Sequence, residues 1–217
     1  MKPDVWVVWP TIHKDESIEM IGAWAYLGYK TALLVNPPFT NNDFPMADIV
    51  IVQEKWQGFP VAVNVLCKFV PGNIIVCGGD DLYPDPYHTA EEIGEQFLKR
   101  FPDTFGVMQP IGDKFGWTHK CAVSPWIGRK FIEEAYDGNG PYRIEYFHYF
   151  SDQELQEYAI KMNAFEQRED LIQYHDHWQR KENPKRPEYL MKAGELHPRD
   201  KKIFEERKKK GFPNGAN

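Results

Sequence analysis

The sequence predicts an α/β fold built on a mostly parallel, doubly wound sheet. Three observations carry this expectation: four short apolar runs bounded by turn residues, connecting segments long enough for crossover helices, and apolar residues in those segments at three- and four-residue spacing. Apolar runs without polar alternation suit strands covered on both faces, as parallel strands are. At 217 residues, with 42% hydrophobic and 15% aromatic content, the chain can bury the core of one such domain.

The four runs are Val5 to Trp9, Thr31 to Val35, Asp48 to Val52 and Asn73 to Cys77, with helices expected at Glu16 to Leu27 and Pro60 to Phe69. Thr89 and Glu92 form a capping box that opens a helix to Arg100. Phe105 to Gln109 reads as a strand. Ser124-Pro125 places a hydroxyl before a proline and predicts a helix to Tyr136. Gly138 to Pro141 is a turn, Ser151 and Glu154 predict a second capping box opening a helix to Met162, and Leu171 to Tyr174 reads as a strand. Beyond Trp178 apolar density falls and Pro184, Pro187 and Pro198 interrupt the chain. An amphipathic helix from Arg199 to Lys210 then precedes a disordered Gly/Asn end. The expected organisation is a catalytic domain over 1–180 and a basic, partly helical extension over 181–217.

Composition excludes several classes. No run approaches the roughly 18 apolar residues of a membrane span, and Met1-Lys2-Pro3-Asp4 lacks a signal-peptide layout, so a soluble cytoplasmic protein without membrane contact is expected. Cys67, Cys77 and Cys121 are odd in number and far apart, which fits buried thiols rather than a disulfide frame or a zinc site. The net charge of −6 hides an asymmetry: Arg180 to Asn217 holds 12 Lys/Arg and 6 Asp/Glu, the rest 14 and 26. The tail can therefore approach a polyanion that the body repels, or it is simply a solvated charged helix.

The segment Ile74 to Pro86 is the most informative. A buried strand runs into Gly78-Gly79 and then Asp80-Asp81, placing adjacent carboxylates at the carboxyl end of a parallel strand, where open α/β sheets bind ligands. Gly78 and Gly79 leave room for a phosphate or ribose beside the backbone. Hard oxygen ligands there suit magnesium or manganese; an acidic β-turn is the bland alternative. His175 and His177, in Tyr174-His175-Asp176-His177-Trp178, would share one face of an extended segment and can complete such a site. Asp152 sits in a first helical turn, where the dipole favours its ionised form, and can accept a hydroxyl proton or merely complement that dipole.

The order of these parts resembles glycosyltransferases of the GT-A fold, in particular small inverting enzymes of the family-two type found in bacteria and phages. The resemblance spans Val5 to Trp178. It implies a donor site formed by Pro10, Thr11, Asn36, Gly58, Asn64, Gly79 and Asp80, a catalytic base at Asp152, and a divalent ion held by Asp80, Asp81 and His175 or His177. The chain departs from the family pattern in three places. Gly78 stands where the first Asp of the usual Asp-x-Asp falls, Ser151-Asp152 replaces Glu-Asp, and Asn36 replaces an acidic residue that contacts the base. Gln109, Asp113, Trp126 and Tyr146 are candidate acceptor or sugar contacts, with Trp126 equally readable as core, and Glu145 is the second candidate base.

The implied function is a metal-dependent, inverting transfer of sugar from a nucleotide-diphosphate sugar, a UDP-sugar first among them, to an acceptor hydroxyl with Mn2+ or Mg2+ as cofactor. Phage relatives extend this to modified DNA bases as acceptors, reached through the basic tail. A sugar nucleotidyltransferase is the first alternative; it normally shows a glycine-rich loop after the first strand, and Pro10 to Lys14 contains no glycine. A non-catalytic nucleotide- or sugar-binding module is the second, and it would not need Asp152.

Overall fold

The structure is a computed structural model that describes residues 1–116, 118 and 120–212, with Tyr189 as backbone alone. The Gly/Asn end from 213 onward lies outside the described residues. Seven strands form the main sheet: β1 (Val5–Pro10), β2 (Lys30–Val35), β3 (Ile49–Val52), β4 (Ile74–Cys77), β6 (Val107–Pro110), β7 (Trp126–Gly128) and β8 (Phe165–Arg168), in the order β3-β2-β1-β4-β7-β6-β8. Every strand but β7 runs the same way, since β1 is parallel to β2 and β4, β2 to β3, and β6 to β8, while β7 is antiparallel to both β4 and β6. A separate pair joins β5 (Leu82–Tyr83) to β9 (Tyr174–His175).

Alternate residues of the central strands feed two cores, as the pleat requires. Val5, Val7 and Trp9 of β1 pack with Met20, Ile21 and Trp24 of α1 (Lys14–Tyr26) and with Ile93 and Phe97 of α3 (Ala90–Arg100). Trp6 and Val8 point the other way, toward α2 (Phe59–Phe69), α4 (Arg129–Glu134), α5 (Ser151–Lys161) and α6 (Tyr189–Lys209), which contribute Leu66, Phe131, Leu155 and Phe204. Helices therefore cover both faces, as expected. The Thr89 capping box is formed as predicted, and Gly138 takes a positive φ of 78° in the predicted turn.

Four expectations are corrected. Ser124-Pro125 opens no helix: Trp126 and Ile127 are fully buried and fill the slot between β4 and β6, so burial on both faces overrides the capping signal. Ser151 does not cap α5, because the preceding residue, Phe150, is the N-cap, in left-handed conformation (φ 68°) without a side-chain cap bond. The stretch Leu171 to Tyr174 is mostly coil, Leu171 being fully buried and only Tyr174–His175 pairing as strand. Finally, α6 starts ten residues before the expected helix and runs through Pro198. Its face is anchored by buried Leu190, Ala193, Asp200 and Phe204, so tertiary packing outweighs the proline. The edge strand β8 was not expected at all; its Phe-Glu-Gln-Arg sequence carries little strand signal.

Candidate active site

The strand directions place the carboxyl ends of β1, β2, β3, β4, β6 and β8 along one edge of the sheet, together with the amino end of β7. Asp80 and Asp81 follow β4 there. The Asp80 carboxylate accepts from the Thr11 hydroxyl (2.8 Å) and pairs with His13 Nδ1 (2.9 Å), so the loops after β1 and β4 are joined through it. Ser17 in turn donates to Thr11 (2.8 Å). Asp81 lies 3.3 Å from His175 Nε2, an approach made by the β5–β9 pairing and the Asp176 N–H donated to the Asp81 carbonyl (2.8 Å).

The two neighbours differ electrostatically. Burial raises the Asp80 carboxyl above its usual range, and the bonds from Thr11 and His13 offset this only in part. Burial also opposes ionisation of Asp81, but the hydrogen bond and charge of His175 prevail and hold it below the usual range. His177 packs edgewise on His175 (5.1 Å between rings) and accepts the Gln179 N–H at Nδ1 (3.3 Å). Burial and the His175 charge bring it down to about 4, leaving a neutral imidazole at neutral pH. His175 Nδ1 is buried and has no hydrogen-bond partner among the described residues.

Among the described residues no three carboxylate, imidazole or thiol groups converge on one ion position, so the expected set of Asp80, Asp81 and one of His175 or His177 is not brought together around one point. The donor set suits a different arrangement. Magnesium and manganese are commonly held by one or two carboxylates, with waters and substrate phosphates completing the shell. Asp80 and Asp81 supply two carboxylates at the carboxyl end of the sheet, where open α/β sheets generally bind ligands.

The second cluster surrounds Asp152 in the first turn of α5. Its carboxylate accepts the Gln153 N–H (2.9 Å) and the Cys121 thiol, with His148 beside it. Burial raises the Asp152 carboxyl above its usual range, with Cys121 and Gln153 pulling the other way. Burial likewise lowers His148, while burial and the Asp152 charge push the Cys121 thiol far up, so it remains a hydrogen-bond donor. Two contacts bring this cluster to the same edge as Asp80. The Asp152 carbonyl accepts the Ala122 N–H (3.3 Å), in the segment that enters β7 beside the end of β4. The Phe147 carbonyl accepts the Phe59 N–H (2.9 Å) at the start of α2, beyond the carboxyl end of β3.

Gly58 makes that second approach feasible. At φ 106° it caps α2, and a Cβ there would stand 2.5 Å from the Phe147 carbonyl oxygen. Gly79 is similarly confined, since a Cβ would meet an Asp81 carboxylate oxygen at 2.9 Å.

Other predicted residues lie in supporting positions. Pro10 ends β1, and Asn36 follows β2, donating its amide to the Gln53 carbonyl (2.5 Å). The buried Asn64 amide is spent on the Asn139 and Tyr142 backbone (2.7, 2.6 and 3.0 Å), so it braces the 139–142 turn. Gln109, fully buried, links the Pro110 carbonyl to Ser124. Trp126 is fully buried and donates its indole N–H to Gln173, which settles it as core rather than as a platform for a sugar. Tyr146 is buried and donates to Glu154 (2.6 Å). Asp113 accepts from Arg180 (2.7 Å) and from the His175 N–H (3.3 Å), fixing β9 from behind. Glu145 is paired with Arg143; the guanidinium outweighs burial and holds the carboxyl low, which suits a base less than Asp152 does. Sequence reasoning missed His13, Cys121 and His148. Only His13 carried a signal, its place in the loop just after β1.

No family model matches the chain, and no curated protein does. Solved structures of Staphylococcus aureus TarS do match in fold. Residues 1-349 of TarS in complex with UDP align at a TM-score of 0.56 and 12% identity, covering 80% of this chain and 60% of that one. The same portion with UDP-GlcNAc gives 0.58 and 13%, covering 80% and 58%. A further TarS structure gives 0.59 and 13%, covering 80% and 36%. The chain thus spans less than two thirds of these TarS structures. Its fold is GT-A-like, as in those TarS structures.

Proposed function

We propose that this chain is a metal-dependent glycosyltransferase that moves a sugar from a nucleotide-diphosphate sugar to an acceptor hydroxyl with inversion. The observation that carries the reading is the pairing, on one sheet edge of a GT-A-like fold, of two adjacent carboxylates after β4 with a third, at Asp152, whose proton affinity is raised. TarS, which shares the fold, binds UDP and UDP-GlcNAc, and this supports a UDP-sugar as the first donor to test.

Asp80 and Asp81 would hold a manganese or magnesium ion against the donor diphosphate. When bound, that ion offsets the negative charge that grows on the leaving group. Thr11 and His13 fix the orientation of Asp80, and His175 that of Asp81. Asp152 takes the proton from the acceptor hydroxyl as its oxygen attacks the anomeric carbon. A raised proton affinity suits that task, because the best general base has a pKa near the working pH. Cys121 and the Gln153 N–H keep the carboxylate directed. A single displacement then inverts the anomeric centre.

A DNA acceptor finds less support. Most of the tail lies in α6, where Phe204 joins the core, as Phe212 does beyond the helix, and Lys201, Lys202 and Lys208 pair with Glu205, Glu206 and Glu157. Exposed Lys209 and Lys210 remain as candidate phosphate contacts.

The test is a screen of nucleotide sugars with manganese, measuring nucleotide-diphosphate release with and without Asp152→Asn. Release that requires metal and is lost in the variant, with UDP binding intact, supports the proposal. Pyrophosphate release from a nucleoside triphosphate and a sugar phosphate would favour the nucleotidyltransferase. Binding without turnover would favour the non-catalytic module.

A further inference from the structure

We propose that Asp200, on α6, is a positioning residue of the transfer reaction: it clamps the loop 147–150 that delivers Asp152. The proposal rests on Asp152 as the base. Asp200 is fully buried, and its carboxylate gathers three consecutive backbone N–H groups, those of Phe147 (3.1 Å), His148 (3.0 Å) and Tyr149 (3.1 Å). Arg199 stands 3.9 Å away at the rim. Successive amides converging on one anion form a rigid concave nest, and charge-assisted bonds of this kind are stronger than neutral ones.

The next residue, Phe150, is the αL N-cap of α5, and Asp152 follows two positions later. A bulky residue at φ 68° is strained and persists only where its surroundings over-determine it. One face of α6 provides that surrounding. His197, Asp200, Phe204 and Arg207, spaced by three, four and three residues, fall on a single helical stripe. His197 packs on Tyr149 and Phe150 (4.9 and 5.1 Å between rings), and Phe204 stacks on Phe150 (5.3 Å). Arg207 grips Glu154 with two nitrogens (2.9 and 2.8 Å), and Glu154 accepts from Tyr146. The stripe thus holds the chain before, at and after the turn into α5. Apolar packing alone would bury the loop; the carboxylate fixes three successive backbone positions, which is what a base within reach of a reacting hydroxyl requires.

The experiment compares Asp200→Asn, Asp152→Asn and the double variant in the full chain. For Asp200→Asn we expect a folded protein by circular dichroism, UDP binding in manganese within twofold of wild type, a kcat roughly 10- to 100-fold lower, and faster amide exchange at 147–149. The double variant should be no slower than Asp152→Asn alone, because the clamp acts through that carboxylate. A purely structural Asp200 would lower Tm and leave kcat per folded molecule unchanged, which overturns the proposal. Multiplying losses in the double variant, or unchanged exchange at 147–149, also overturns it. If Asp152→Asn keeps its rate, the base reading fails and the proposal with it; a slow Asp152→Asn beside a fast Asp200→Asn overturns the clamp alone. Should Asp200→Asn not fold, Asp200→Glu keeps the charge and moves the carboxylate by one methylene. The same selective loss of kcat is expected from it, and wild-type kcat overturns the proposal.

Discussion

Asp81 and Asp152 stand on the same edge of one sheet, both partly buried and both beside a histidine, yet they are pushed in opposite directions. Asp81 faces an imidazole that bonds its carboxylate, and this outweighs burial. Asp152 faces a thiol that holds its own proton and a histidine that burial keeps neutral, and here burial prevails. Under the proposed function the difference fits two tasks. A carboxylate held ionised, as Asp81 is, suits a cation, and one that binds a proton more readily, as Asp152 does, suits a base; Asp80, raised by burial like Asp152, depends on Thr11 and His13 to favour its ionised form.

The largest effect is expected at Asp152. Asp152→Asn keeps the shape and the Gln153 bond while removing the proton acceptor, so kcat should fall by roughly 100- to 10,000-fold with donor binding unchanged. Stopped-flow or single-turnover transfer checks this, and a loss below about tenfold would move the base elsewhere. Asp81→Asn should act on binding instead. UDP affinity measured in manganese should weaken by at least the roughly 10- to 100-fold typical of a disturbed metal site, with affinity in chelator unchanged. Calorimetry in the two buffers separates the outcomes.

The pH dependence sharpens the contrast further. The base works only when deprotonated, so activity should be lost as pH falls through the raised Asp152 value, with an acid limb above the ordinary carboxylate range. Cys121, His148, Tyr142 and the Gln153 amide face Asp152. Because the Cys121 bond lowers Asp152, Cys121→Ala should move the limb to higher pH; movement to lower pH would contradict the assigned geometry. The smallest effect is expected from the exposed cations. Lys209→Gln with Lys210→Gln should change stability by less than about 0.5 kcal/mol. If the acceptor is DNA, the pair should also reduce the logarithmic salt slope of binding by up to about two. An unchanged slope excludes them as phosphate contacts.

The sequence-derived reading was strongest where local signals and tertiary demands agree. β1 to β4 are apolar runs in a repeating strand-helix order, and the Thr89 box supplies both of its own bonds. The position of Asp80-Asp81 at a strand end followed directly from Ile74 to Gly79. Past Pro110 the signals mislead, because partners distant in sequence decide the structure. Ser124-Pro125 resembles a helix start until β4 and β6 are seen to need a strand between them. Glu154 resembles a capping-box partner until Arg207, 53 residues away, claims it. His13 and Asp80 are 67 residues apart and meet only through the parallel pairing of β1 with β4. Neither Asp200 nor its three amide donors has any local signature, since the bonds go to backbone.

The single reversed strand bears on how the chain assembles in time. β1 to β4 can pair as they emerge, but β4 must keep an open hydrogen-bonding edge until residues 126–128 arrive to fill it. β6 is worse placed, because both of its neighbours, β7 and β8, come later in the chain. Pairings of such sequence separation are slow to form, and an unpaired apolar edge meanwhile invites association with other chains. Nascent or truncated chains that stop between Pro110 and Trp126 should therefore be the aggregation-prone species, and insertion of β7 the step that joins β6 to β4, after which only the far edge of β6 waits for β8.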